Sequence, residues 1–281
     1  MRVVRKAWKS APPGLKELVR RVKPQLDLVR LEDSLGTQSE GWTIPPRVFQ
    51  TCPTRLIHRD HGEAIEKFRA LNSNLWHTVF DQHDTDNYMK EHWGNHPIFS
   101  IYEDALFGQM KADIFRYCVV FDNGGYYLDI NKAIMRRLQD LHEVDDHGLL
   151  SFEKNSSVVF PDQPASSRLL HPEKLVLQWG FGFSPQHRIL ELAINRIVET
   201  SDYFRSREFN RVLPTVVSFT GPGVLTWAVR RYLAKNQEAG LAQHSPDFGE
   251  SGITRLPRSD LAFGGTKHYS KFKHHRVLRE K

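Results

Sequence analysis

Two stretches of the chain carry acids, bases and oxygen donors at spacings that could do chemistry. They are Lys111-Ala112-Asp113-Ile114-Phe115-Arg116-Tyr117 and Gly124-Gly125-Tyr126-Tyr127-Leu128-Asp129-Ile130-Asn131. In the first, Asp113 and Arg116 stand three apart, so on a helix they share a face. Their helix reads as apolar enough to be buried, and a buried acid and base must be paired or must face a ligand. In the second, Asp129 ends an apolar run that reads as a strand, the place where open α/β sheets expose residues to a crevice. Asn131, two residues on, points to the same side if the chain stays extended. Two oxygen-bearing side chains at one point suit a hard divalent cation bridging a diphosphate. In isolation Asp113 and Arg116 would read as a structural ion pair; the stretch that follows turns the reading toward a site.

The elements that position these residues read clearly. A helix is expected from about Gln109 to Asp122, with Met110, Ile114, Cys118 and Val119 on one face and Phe115, Val120 and Phe121 broadening it. Asn123-Gly124-Gly125 stops it, because glycine takes the left-handed geometry of a helix end, and Tyr126–Asp129 follows as a strand. Upstream, Arg47–Thr51 and Leu75–Phe80 read as strands and Gly62–Leu71 and Thr85–His92 as helices. Downstream, Gly148–Glu153 and Leu175–Phe183 read as strands, with helices at His187–Val198 and Gly223–Leu233. The alternation predicts an α/β fold with a mostly parallel central sheet. Trp179, the Gly180–Phe183 run and Cys118 are expected in the core, and Thr220-Gly221-Pro222 at a turn before a helix. Gln178 stands near a strand end where it could face a sugar.

The 281 residues are 40% apolar, 26% charged and 11% aromatic, the composition of an ordinary globular protein. No consecutive apolar run approaches the roughly 18–20 residues of a membrane span, so a spanning protein is not expected. No secretory signal is visible at the N-terminus. Two cysteines, Cys52 and Cys118, are too few for a disulfide framework, which favours a reducing compartment.

The net charge of +6 is concentrated at the two ends. Nine basic residues stand against Glu17 and Asp27 between Arg2 and Arg30, and Lys267–Lys281 holds six against Glu280. Residues 1–43 read as a basic arm, partly helical, and 44–281 as a single domain. Leu15, Leu18, Val19, Val22, Leu26 and Val29 recur at helical spacing opposite basic residues, interrupted by Pro24, which suits a helix on an anionic membrane surface. A solvated helix packed on the body is the alternative. No nucleic-acid-binding motif accompanies the charge, so no nucleic-acid partner is expected.

The pattern around the two stretches resembles the "A-D-x-x-R-Y … G-G-x-Y-x-D-x-D" of the DXD sugar-binding-region glycosyltransferases, family 32. Ile44-Pro45-Pro46-Arg47-Val48-Phe49-Gln50-Thr51 is similar to that family's opening "I-P-K-I-I-H-Q-x-W" strand, and Leu71–Trp76 to its "N-P-x-Y-x-x-x-x-W" segment. Phe219–Thr226 resembles its "T-G-P-x-x-L-T", and His268 with His274-His275 its C-terminal "H-H". The matches run in order from Ile44 to His275.

The resemblance implies a GT-A-type, Rossmann-like nucleotide-sugar-binding domain and retaining transfer of a hexose from a UDP- or GDP-sugar to a glycan or lipid-linked glycan acceptor. Capsule or O-antigen assembly at the inner face of the plasma membrane is the implied setting. Carried over, Asp113, Arg116 and Asp129 would be catalytic, the first two contacting the donor sugar and its phosphate. Asp129 and Asn131 would hold Mn2+ or Mg2+, with His268, His274 or His275 completing the metal shell or closing over the diphosphate. Phe49 and Gln50 would lie under the base, and Gly124, Gly125 and Tyr127 would complete the donor-binding set. The family's second aspartate is Asn131 here; an amide oxygen still ligates such ions but with one charge less. A non-catalytic nucleotide-sugar- or carbohydrate-binding relative is therefore the competing reading.

Overall fold

The computed structural model describes residues 27–37, 41–155, 168–235, 240–259 and 269–280. The fold is α/β, built on one six-stranded sheet. Its strands are β2 (Arg47–Thr51), β4 (Trp76–Phe80), β5 (Gly125–Leu128), β7 (Gly148–Leu150), β8 (Gly180–Phe183) and β9 (Leu241–Gln243), in the order β4-β2-β5-β8-β7-β9. β2 pairs in parallel with β4 and β5, and β7 with β9; β8 alone runs against both its neighbours. The C-terminal ends of five strands and the start of β8 therefore share one edge of the sheet, the edge at which Asp129 leaves β5.

The two-residue alternation of the strands builds two cores. Phe49, Tyr127, Leu150, Phe181 and Phe183 face the larger one, against α2 (Gln82–Trp93), α3 (Pro97–Asp104), α4 (Gly108–Asn123), α5 (Arg188–Arg205), α6 (Val212–Phe219) and α7 (Pro222–Lys235). Val48, Val79, Tyr126, Leu128 and Leu149 face the smaller one, against α1 (Arg59–Leu71). α2 starts on a capping box, Asp81 accepting from the Asp84 amide while the Asp84 carboxylate accepts from the Asp81 amide.

Several expectations are refined. Most of the N-terminal arm lies outside the described residues. Its last part is strand rather than helix: β1 (Leu28–Arg30) pairs antiparallel with β3 (Leu56–His58). Leu31 is buried and Ser34 bridges to His77, so residues 28–34 pack on the body although they fall within the 1–43 arm expected from the sequence. Leu175–Phe183 contracts to β8 plus an isolated bridge from Val176 to Phe152, and α3 and α6 were not read from the sequence. A two-stranded ribbon, β6 (Ala133–Ile134) with β10 (Gly252–Ile253), was also unforeseen. Val212–Lys235 is long and apolar enough, by length and composition, to cross a membrane, although polar residues interrupt its apolar runs. It is two helices broken at Thr220 and Gly221, and Val216, Phe219, Leu225, Ala228 and Val229 are buried in the larger core.

Gly124 and Gly125 lie at the start of β5, one strand length from Asp129. Gly124 (φ 62) caps α4, its amide donating to the Val120 carbonyl. Gly125 has φ 104, and a Cβ there would sit 2.5 Å from the Arg47 carbonyl oxygen. The pair makes the turn into the sheet; it does not join the donor-binding set expected from the sequence, because that set gathers at the other edge. Gly125→Ala is expected to destabilise the fold by about 3 kcal/mol through backbone strain and the clash, measured by urea denaturation.

Two buried histidines set the acid limit. His187 caps α5, its Nδ1 accepting from the Ile189 amide, while its Nε2 meets His147 Nδ1 at 2.8 Å. Burial pushes His187 down to about 3, with His147 adding to the shift. Burial likewise pushes His77 down to about 4. Both are neutral in the fold and protonate in the unfolded chain below about 6.5, so the unfolded state binds more protons as pH falls. Below about pH 6.5 the two together contribute a loss of up to about 2.7 kcal/mol per pH unit until the folded values are reached. Asp113 and Glu153, whose carboxyls burial holds near 7, oppose it over the same range, so the net slope is expected to be shallower and to steepen when both acids are replaced by amides. Denaturant titrations from pH 7.5 to 4.5 would check the slope.

Candidate active site

α4 presents Asp113 and Arg116 from its second and third turns to the edge where β5 ends. The Arg116 guanidinium is the hub. Its Nη2 lies 3.2 Å from Asp113 Oδ1 and its Nη1 lies 3.2 Å from Asp129 Oδ1. Nη1 also donates to the Gln178 carbonyl at 3.0 Å and Nε to the Ala112 carbonyl at 3.2 Å. The cation sits 4.6 Å from the centroid of the Tyr127 ring, whose hydroxyl meets Thr51 Oγ1 at 2.9 Å.

Asp113 is held from its other side: Thr220 Oγ1 donates to Asp113 Oδ2 at 2.9 Å. Gln178 Nε2 donates to the Tyr117 hydroxyl and the Thr220 carbonyl, and the Tyr117 hydroxyl donates to the same carbonyl. The Thr220-Gly221-Pro222 turn thus reaches across the fold to set the acid. Burial pushes the Asp113 carboxyl up to about 7 against the opposing pull of Arg116 and Thr220. Burial would lower Arg116, but Tyr127, Asp129 and Asp113 hold it above its ordinary range.

Asp113, Arg116 and Asp129, separate in sequence, therefore form one chain of contacts, and exposure divides their roles. Asp113 and Arg116 are 6% exposed, whereas the Asp129 side chain is 30% exposed. Asp129 is the one of the three that solvent reaches, and the other two lie beneath it. Asn131 Oδ1 is buried with no hydrogen-bond partner, an acceptor left open two residues beyond Asp129. Hard oxygen donors with one acceptor unfilled fit a divalent cation.

Other expected residues fall elsewhere. Phe49 and Gln50 are 5% and 1% exposed, with Phe49 packed against Phe80, so the Phe49 ring offers no face to a base. Open space lies just beyond: a recess of about 440 Å³ follows the ends of β2 and β4, with Pro53, Thr54, Asp81 and His83 in its wall. Tyr127 is in place as the ring beneath Arg116. His275 packs on Phe107 and Phe272, and His274 is exposed beside it. His268 lies outside the described residues. Among the described residues, the one trio of His, Cys, Asp or Glu with ligand atoms within 4.8 Å of one another is Asp27, His58 and Asp60, which Arg59 and Arg258 already pair. His274 and His275 thus make no ready metal set with Asp129.

The same edge carries groups that the sequence did not flag. Glu153 follows β7 and Asp247 follows β9. Trp179, just before β8, accepts the Asp129 amide at its carbonyl and donates its Nε1–H to Asp247 Oδ1 at 3.4 Å. Lys132 Nζ lies 5.7 Å from the Trp179 ring centroid. Burial pushes Glu153 up to about 7, with Asp247 and Asp129 adding and Lys132 opposing. Asp247, Phe248 and Gly249 all have positive φ, and Ser-Pro-Asp-Phe-Gly was the available signal of that turn.

No protein-family model matches the chain. Among curated proteins it is similar to the initiation-specific alpha-1,6-mannosyltransferase of Schizosaccharomyces pombe, 26% identical over 68% of this chain and 49% of that one. The protein of the same name from Candida albicans is 21% identical over 69% of this chain and 54% of its own length. Inositol phosphoceramide mannosyltransferase 2 of S. pombe is 28% identical over 39% of this chain and 31% of its own. All three of these relatives are named as mannosyltransferases. The chain spans about half the length of the first two. A solved PaToxG glycosyltransferase overlaps at a TM-score of 0.44 and 14% identity, over 67% of this chain and 70% of that one, too loosely to carry an argument.

Proposed function

We propose that the chain is a retaining, metal-assisted glycosyltransferase of GT-A type that moves a hexose from a UDP- or GDP-sugar to a glycan hydroxyl. The observation that carries this reading is the Asp113–Arg116–Asp129 chain of contacts at the sheet edge, with the open Asn131 acceptor beside it. The mannosyltransferase relatives support it and favour mannose as the sugar.

In such a reaction the glycosidic bond breaks as a nucleoside diphosphate leaves, and negative charge grows on its phosphate oxygens. Mn2+ or Mg2+, held by Asp129 and Asn131, would neutralise part of that charge. Arg116, fixed by its carbonyl and carboxylate contacts, supplies a preorganised positive potential beneath Asp129. Asp113 and Thr220 fix the guanidinium plane, and the Tyr127 ring keeps water from its face. The recess beyond β2 and β4 has room for the base. The acceptor hydroxyl would attack from the face the leaving group vacates, and Glu153 and Asp247 border the space it would cross. The curated relatives are fungal, so a capsule or O-antigen setting at the inner face of the plasma membrane rests on the sequence resemblance alone. A role for the N-terminal arm in membrane contact rests on its basic, amphipathic spacing alone, and fails if removing residues 1–26 leaves liposome binding unchanged.

A donor-hydrolysis screen tests the reading. Purified protein is incubated with GDP-mannose and a panel of UDP- and GDP-sugars, in Mn2+, Mg2+ or EDTA, and released nucleotide is measured. Release from one donor, lost in EDTA, is expected. No release, together with no thermal stabilisation by GDP or UDP, would remove the proposal. Stabilisation without turnover, with any acceptor offered, would favour the non-catalytic relative that neutral Asn131 suggests.

A further inference from the structure

We infer that the surface formed by the C-terminal segment and the α5–α6 junction docks on an anionic phospholipid bilayer. Phe209 bridges to His275, the His274 amide donates to the Asn210 carbonyl, and the 3-10 turn at Tyr269–Lys271 packs on α6. These contacts lay residues 270–280 alongside 203–214 as one surface. It carries seven lysines and arginines against Glu208 and Glu280. Arg205 and Arg276 are used within the fold, pairing with Asp104 and Glu280. Arg207, Arg211, Lys271, Lys273 and Arg279 are exposed and form no ion pair among the described residues.

Apolar groups stand among these charges. Tyr203, Leu106 and Leu213 are 51%, 38% and 37% exposed, and Arg207 lies 3.9 Å from the Tyr203 ring centroid. Glu103, Asp104 and Asp202 border this surface, Asp104 pairing with Arg205, while a denser group of acids, Asp140, Glu143, Asp145 and Asp146, stands on one short segment between β6 and β7. A surface that joins unpaired cations to protruding aliphatic and aromatic side chains suits lipid headgroups with the acyl boundary below. Nucleic acid or a soluble polyanion would use the charges but not Leu106 and Leu213.

The surface also borders the candidate site. Leu106 donates its amide to the Val277 carbonyl, and Phe107 packs on Phe272 and His275 at the start of α4. Asp113 lies six residues on, about 9 Å along the helix. Docking here would hold the site's rim next to the bilayer, where a lipid-borne hydroxyl would be within reach. The docking claim is independent of the proposed catalysis.

The test is flotation of the full chain with phosphatidylcholine vesicles, with and without 30% phosphatidylglycerol. The chain is expected to float with the anionic vesicles alone. Arg211→Glu/Lys271→Glu/Lys273→Glu, all at exposed positions, is expected to lower affinity by more than tenfold, at roughly fivefold per charge, without changing the melting temperature. Leu213→Trp is expected to be quenched by brominated acyl chains. Failure of the wild-type chain to float, or wild-type affinity in the triple variant, would overturn the proposal; the latter would assign binding to the N-terminal arm. Equal binding to heparin or RNA with no quenching at position 213 would overturn it as well.

Discussion

Arg116→Ala is expected to destabilise the protein by about 3–5 kcal/mol and to abolish donor turnover. The cost arises because the variant leaves Asp113 buried without its counter-charge and the Gln178 carbonyl without the guanidinium donor, and an orphaned buried charge costs more than an exposed one. Part of the loss would be relieved by protonating Asp113, which burial already holds near 7. The variant is therefore expected to lose less stability at pH 5 than at pH 8, relative to wild type, in urea denaturation. Arg116→Lys separates fold from chemistry. It keeps one charge but cannot donate at once to Asp113, Asp129 and the Gln178 carbonyl, so it is expected to fold and yet to lose at least 100-fold in nucleotide release. Near-wild-type release by Arg116→Lys would mean that the guanidinium is structural only.

Asp129→Ala carries the second large effect, of the opposite kind. Asp129 is the exposed end of the contact chain, and Arg116 keeps Asp113 and its carbonyl partners without it. Stability is expected to change by less than about 1 kcal/mol, while donor turnover falls about 1,000-fold. Stabilisation by GDP or UDP in Mn2+ should shrink in parallel. Unchanged turnover would take the site away from β5. The reciprocal variant, Asn131→Asp, restores a carboxylate where an amide acceptor is now open. It is expected to tighten Mn2+ binding about tenfold by titration calorimetry; no tightening would place the ion elsewhere.

The residues of the candidate site and much of the framework were readable from local pattern. A helix carrying Asp113 and Arg116 at three-residue spacing, a glycine stop, and a strand delivering Asp129 each follow from short-range geometry, and α4 and β5 formed within a residue or two of where the periodicity put them. The alternation of strands and helices was enough for an α/β fold with a mostly parallel sheet. Pairing across sequence was not readable. Thr220 holding Asp113, Gln178 accepting from Arg116 at its carbonyl, and Trp179 joining Asp129 to Asp247 all span more than 45 residues, and nothing in a local stretch encodes which strand ends meet. Gly124 and Gly125 show the same limit: their need for positive φ is local, but which sheet edge they occupy is not. α6 was hidden because Val212–Phe219 is short, contains Pro214, and keeps apolar Leu213 on its exposed face, so its composition blurs the period that burial of Val212, Thr215, Val216 and Phe219 reveals. Residue types and spacing singled out Asp113, Arg116 and Asp129 as candidates; strand order and direction decided that Arg116 lies buried beneath Asp129, because burial is a property of the packed sheet and its helices and not of any single segment.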